Sequence, residues 1–206
     1  MILTYHDGFC VRASAGDTTV VFGPISKQSK NFKPTNFGAD VAFISLNHPD
    51  MNGAEEAGRG EKQPFVIQGP GEYEIKDITA FGFPSESEYG KEHRINTLYS
   101  VTFDGLSVFY AGAVSTPTLP KDVEEMDSPD ILIVPIGGEG ALTPAEAQKL
   151  AVSLEAKIVI PVGYDAAALK VFLKEAGAEG VVPEEKLTLK KKDVAGKEGE
   201  VVVLKA

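Results

Sequence analysis

Short apolar runs separated by Gly, Pro, Asp and Asn set the rhythm of the chain, and most are too short for anything but a strand. Phe9 to Ala13, Thr18 to Phe22 and Val41 to Leu46 read as strands. Ala15-Gly16-Asp17 fits a hairpin connection between the first two, because Gly and Asp accept turn conformations that other residues avoid. The run from Val41 to Leu46 orders the rest. It is partly β-branched and uncharged, which suits a strand covered on both faces. Asn47, Pro49, Asp50 and Asn52 then end it abruptly. Residues 24–40 read as surface loop, and residues 53–63, with three glycines, allow at most a turn or two of helix before Pro64.

Pro64 to Ile67, Tyr73 to Ile75 and Ile78 to Phe83 predict further strands, with Gly69-Pro70-Gly71 as a tight turn that lacks the residues of a phosphate cradle. Residues 84–96 are polar, with Glu86, Ser87, Glu88, Glu92, His93 and Arg94, and predict a second candidate site-facing loop. Thr97 to Phe103 and Leu106 to Ala111 form a hairpin around Asp104-Gly105. The pattern then changes. Asp130 to Ile136 and Lys157 to Val162 are buried strands, each followed by a helix, and such a βαβα unit implies parallel neighbours. Gly137 to Gly140 carries the chain over the end of the first. Thr143, Pro144 and Glu146 make a capping box for a helix whose stripe is Ala147, Leu150, Ala151 and Leu154. Its N-terminus is either a well-capped end or a place for an anion. A second helix, from about Ala166 to Ala176, packs through Leu169, Phe172 and Leu173. Leu187 to Val194 and Glu200 to Leu204 predict a terminal hairpin.

In an open α/β sheet, ligands sit beyond the carboxyl ends of the strands, so Asn47, His48 and Asp50 stand where chemistry is done. The competing reading is a polar turn satisfying its own backbone. Composition narrows the choices. The 206 residues are read as one domain, residues 1–206, able to bury roughly 70% of the unfolded chain's surface without disulfides. Thirty acidic against 20 basic residues give a formal charge of -10, which disfavours nucleic acid as a partner. Lys190 to Lys192 read as a solvated or edge-protecting group. Cys10 is the only cysteine, and no stretch approaches a membrane span, so a reducing, cytoplasmic setting is expected, with no membrane partner.

These pieces, in this order, resemble the metallo-β-lactamase superfamily, in its branch of small zinc-dependent hydrolases. The resemblance spans nearly the whole chain and implies an α/β fold, an αββα four-layer sandwich. It rests on the opening hairpin of residues 1–25, the strand and loop of residues 41–52, and the strand Leu106 to Ala111. Asp130 to Gly138 matches an Asp-x-Leu-x-x-Pro-x-Gly-Gly stretch, and Ile160 to Tyr164 matches Ile-Pro-x-His-Tyr. The family's His-x-His-x-Asp-His motif falls on Leu46, His48, Asp50 and Met51, so two of those four positions keep a ligand. Its later His, Asp and His fall near Ser87, on Ala113 and on Gly163. By the same resemblance His48 and Asp50 would serve different metals. Catalytic zinc needs about three protein ligands and an open position for water.

The leading expectation is therefore a domain without the family's metal centre and with no cofactor, acting as a binding or interaction module or a pseudo-hydrolase. Its partner would be a protein or a small molecule, and homo-oligomers are compatible with the sequence. The alternative is a hydrolase of esters, lactones or phosphoesters with a reduced site. Its remnant ligands would be His48 and Asp50, with Glu86, Glu88 or Asp165 and a hard divalent ion. Asn47 and Ser87 complete this candidate set. A metal-free enzyme would use His48 as base oriented by Asp50, although no nucleophile is identifiable: Cys10 lies in a strand, and Ser45 and Ser87 have no evident partner.

Overall fold

The computed structural model describes residues 1–137 and 140–206; Gly138 and Glu139, inside the glycine-rich passage expected after Ile136, lie outside the described residues. Two sheets face one another. The first contains β1 (Ile2–Tyr5), β2 (Val11–Ala15), β3 (Thr18–Phe22), β4 (Val41–Ile44) and β5 (Phe65–Gln68) in chain order, with β1 also pairing a late strand. The chain crosses to the second sheet at Gly69-Pro70 and continues through β6 (Gly71–Ile75), β7 (Ile78–Ser87), β8 (Arg94–Phe103) and β9 (Leu106–Tyr110). A short helix, α1 (Lys121–Glu124), precedes β10 (Ile131–Pro135), α2 (Pro144–Ser153), β11 (Ile158–Val162) and α3 (Ala166–Glu175).

Alternation along the strands assigns each face to a core. Ile131 and Ile133 of β10 and Ile158 and Ile160 of β11 enter the core between the sheets, while Leu132, Val134 and Val159 pack against α2 and α3. As the βαβα pattern predicts, β9, β10 and β11 run parallel. Over the outer face of the first sheet the cover is lighter: Ile25, Phe32, Phe37 and Ala39 of the 24–40 segment and the 3-10 turn Ala54–Ala57 pack on Cys10, Val21 and Ala42. Among the described residues no helix is long and apolar enough to cross a membrane.

The Asp104-Gly105 turn forms as expected, with both residues at positive φ, and so does the capping box, in which the Thr143 N–H donates to the Glu146 carboxylate at 2.9 Å. That carboxylate occupies the N-terminus of α2. Two expectations fail. The loop expected over residues 84–96 is confined to residues 88–93, because β7 and β8 extend to Ser87 and from Arg94 and pair Pro84 to Thr97 and Ser87 to Arg94. The polar residues of the stretch are of three kinds: Glu86 faces solvent from the ladder, Ser87 and Asn96 are buried with hydrogen-bond partners, and Glu88, Glu92 and His93 lie in the connection. The terminal hairpin does not form either: β12 (Leu187–Thr188) pairs with β1, while β13 (Glu200–Val201) pairs with β11 in the other sheet. A 3-10 turn at Lys191–Val194, where the Lys190 N–H donates to Asp193, redirects the chain between them. The basic cluster is partly absorbed there, since Lys191 reaches the buried Asp130 carboxylate at 2.5 Å.

Two tyrosines of the second sheet tie down the parts of the first that carry the loop after β4. The Tyr99 hydroxyl donates to the Ile44 carbonyl at 2.9 Å, and the Tyr110 hydroxyl to the Phe9 carbonyl at 3.1 Å.

Candidate functional site

The loop after β4 folds back on itself at once. The Asp50 N–H donates to Nδ1 of His48 at 3.2 Å, so the neutral ring carries its proton on Nε2. The Asp50 carboxylate is 1% exposed and is held by neutral donors. Ser29 Oγ reaches Oδ1 at 2.6 Å, while Asn31 Nδ2 and the Tyr89 hydroxyl reach Oδ2 at 2.8 and 2.7 Å. Such charge-assisted bonds satisfy a buried anion without a cation. His48 Nδ1 stands 3.6 Å from Oδ2, too far for a hydrogen bond. The Asp50 carboxylate therefore does not orient His48 as a base acting through Nε2; the contact that holds the ring is the Asp50 backbone N–H.

Nε2 of His48 faces a cavity of about 260 Å³ lined by Asn31, Tyr89 and Gly90. Gly90, at φ +73, leaves room there, since a Cβ would stand 3.1 Å from Nε2. Burial pushes the imidazole below its ordinary range; Asp50 opposes that shift and Arg94 adds to it.

The other positions aligned with family ligands meet at this same edge of the sandwich, but as packing. Leu46, Met51 and Ala113 are buried, and Met51 accepts a weak bond from Ser45 Oγ at 3.6 Å. Ser87 is buried, donating its hydroxyl to the Ala113 carbonyl at 2.6 Å. Gly163, at φ +62, lies against Phe9, whose ring an added Cβ would meet at 2.8 Å. Phe9 in turn meets Tyr89 edge to face, with centroids 5.0 Å apart. The two aromatic rings thus link the Gly163 position to the Asp50 and His48 positions.

The remaining candidates point elsewhere. Asn47 is exposed and accepts from Asn52 Nδ2 at 2.9 Å. Glu86 is exposed on β7, and Glu88 pairs with exposed His93 at 2.8 Å. Asp165 is the N-cap of α3, accepting the Ala168 N–H at 2.8 Å. Among the described residues, no three His, Cys, Asp or Glu side chains are grouped as metal ligands would be. A zinc ion demands imidazole, thiolate or carboxylate donors, whereas these positions offer one imidazole, one hydrogen-bonded carboxylate and otherwise aliphatic, thioether, hydroxyl or absent side chains. The residues present do not fit the family's metal pair.

Phe9, Ser29, Asn31, Tyr89 and Arg94 were not singled out by sequence reasoning. Tyr89 carried the one available signal, an aromatic residue within a charged stretch.

Comparison with known proteins gives a consistent picture. The profile of a family described as "Beta-lactamase superfamily domain" matches residues 2–163. A UPF0173 metal-dependent hydrolase of Natranaerobius thermophilus is 26% identical over 179 residues, covering 76% of this chain and 80% of the relative. One from Bacillus subtilis is 23% identical over 196 residues, covering 80% and 86%. Among solved structures, a Thermotoga maritima protein assigned to the zinc-dependent hydrolases of the metallo-β-lactamase superfamily superposes with a TM-score of 0.75. It is 25% identical and covers 98% of this chain and 97% of its own.

Proposed function

We propose that this chain, which belongs to the β-lactamase superfamily domain family, is a non-catalytic binding module, a pseudo-hydrolase in which packed side chains stand at most of the family's metal-ligand positions. The observation that carries the reading is the contact of Phe9 with Tyr89, which joins the Gly163 position to Asp50 across the edge. Fold alone does not establish activity, and hydrolysis by a metal-bound water requires a ligand set that these residues do not supply. The module's occupant would be a protein or a small molecule.

The test is elemental analysis of protein purified without chelator or affinity-tag metal, alongside His48→Ala. Folded protein with no stoichiometric metal in either sample is the expected result. Near-stoichiometric metal that disappears in His48→Ala would overturn it. The relatives' description as metal-dependent hydrolases favours that second reading. Its shell would then draw on His48, Asp50 and a carboxylate from Glu86, Glu88 or Asp165.

A further inference from the structure

We propose that the cleft between the ends of β4 and β5 and the start of β8 binds a small organic monocarboxylate with a short aliphatic or single-ring body. The cleft has a volume of about 490 Å³ and is lined by residues that include Ile44, Asn47, Gln68, Pro70, Arg94 and Ile95. That size lies within the range of small-molecule sites, which are mostly apolar with a few placed polar groups. Ser45 and Asn47 line it, whereas Leu46 and His48 do not, and Arg94 stands between it and the His48 cavity. None of the positions aligned with metal ligands contributes, so the cleft does not depend on the reading of the metal edge.

Arg94 supplies the charge. Its Nη1 donates to the Tyr89 carbonyl at 3.0 Å, which fixes the guanidinium, and its Nη2 pairs with Glu92. Among the described residues these bonds engage two of its five donors, and the planar fork suits a carboxylate. Glu92 is 68% exposed, so its pairing is weak and open to exchange with an incoming anion. Beside this cation stands Ile95, 71% exposed although it lies in a strand. Ile44 and Pro70 complete an apolar lining. A fixed guanidinium next to uncovered aliphatic surface matches an acid with an apolar tail. In a chain with formal charge -10, an anion has little long-range attraction, so recognition must come from this local pair.

The test titrates the isotope-labelled full chain, in excess chelator, with hexanoate, phenylacetate and the neutral hexanamide, following backbone amide shifts. Saturable shifts confined to residues 44–47, 68, 69, 71 and 94–97 are expected for both acids, with hexanamide weaker by at least about tenfold, as loss of bonds to a charged group implies. Arg94→Gln should weaken hexanoate similarly. Ile95→Glu, at an exposed position that leaves the Tyr89 contact intact, should abolish the shifts in a folded protein. Absence of saturation at millimolar acid would overturn the proposal. So would equal affinity for acid and amide, or binding unchanged in Ile95→Glu. Metal content measured on the same sample before chelation reports separately on the proposed function.

Discussion

Tyr89 donates its hydroxyl hydrogen to Oδ2 of Asp50 at 2.7 Å, across 39 residues of chain, and its ring meets that of His48 at 5.0 Å. A phenol therefore stands beside the two residues that retain ligand chemistry. The carboxylate is satisfied by hydroxyl and amide donors, so the fold does not need a cation there for its own stability.

Tyr89→Phe keeps the ring against Phe9 and removes the bond to Asp50. Urea unfolding should show a loss of about 1–3 kcal/mol, the range for a hydrogen bond to a buried charged group. In an Asp50→Asn background the same change should cost less. Equal losses in both backgrounds would mean that the bond contributes nothing.

Gly163 combines a left-handed backbone with direct contact on the Phe9 ring. Gly163→Ala should lose roughly 1–2 kcal/mol to backbone strain, plus a further overpacking cost of about 1–3 kcal/mol. Gly163→His, which restores the residue type expected from the family, should destabilise at least as much and gain no stoichiometric metal. Thermal unfolding and elemental analysis of both variants check this.

One of the three histidines should titrate above the other two. Glu88 raises exposed His93 above the ordinary range, whereas burial lowers His48 and also His6, where Arg12 adds to the effect. Ring-proton shifts against pH should place His93 highest, and Glu88→Gln should lower it. Because His48 and His6 are held below their unfolded values, the stability they contribute is full above the ordinary histidine range. It falls as pH drops through that range towards their folded values.

Asp130 is fully buried, and burial disfavours its charge, yet bonds from Lys157, Lys191 and the Ser107 N–H hold its carboxyl at about 2. Its folded value lies below the unfolded one, so the stabilisation is present above about pH 4 and lost as pH falls towards 2. Its size is roughly 2 kcal/mol. Asp130→Asn should be destabilised at neutral pH, and its deficit relative to the parent protein should shrink on acidification.

Features whose cause is local were legible in the chain itself. Thr143 and Glu146 lie one turn apart and satisfy each other's backbone, Asp104-Gly105 adopts positive φ by its own chemistry, and the apolar runs of β10 and β11 mark strands buried on both faces. The replacement of ligand types at Leu46, Met51, Ala113 and Gly163 was likewise a matter of residue identity. What replaced them was decided by tertiary structure. A strand's hydrogen bonds need a partner, so both ends of the polar stretch of residues 84–96 became strand by pairing, leaving residues 88–93 as the connection. For the same reason Leu187 and Glu200 went to different sheets. Phe9 meets Tyr89, and Arg94 meets the Tyr89 carbonyl beside Ile95, only after the sheets have closed. Burial and a guanidinium's orientation belong to the assembled sandwich, because they depend on atoms that the local sequence does not contain.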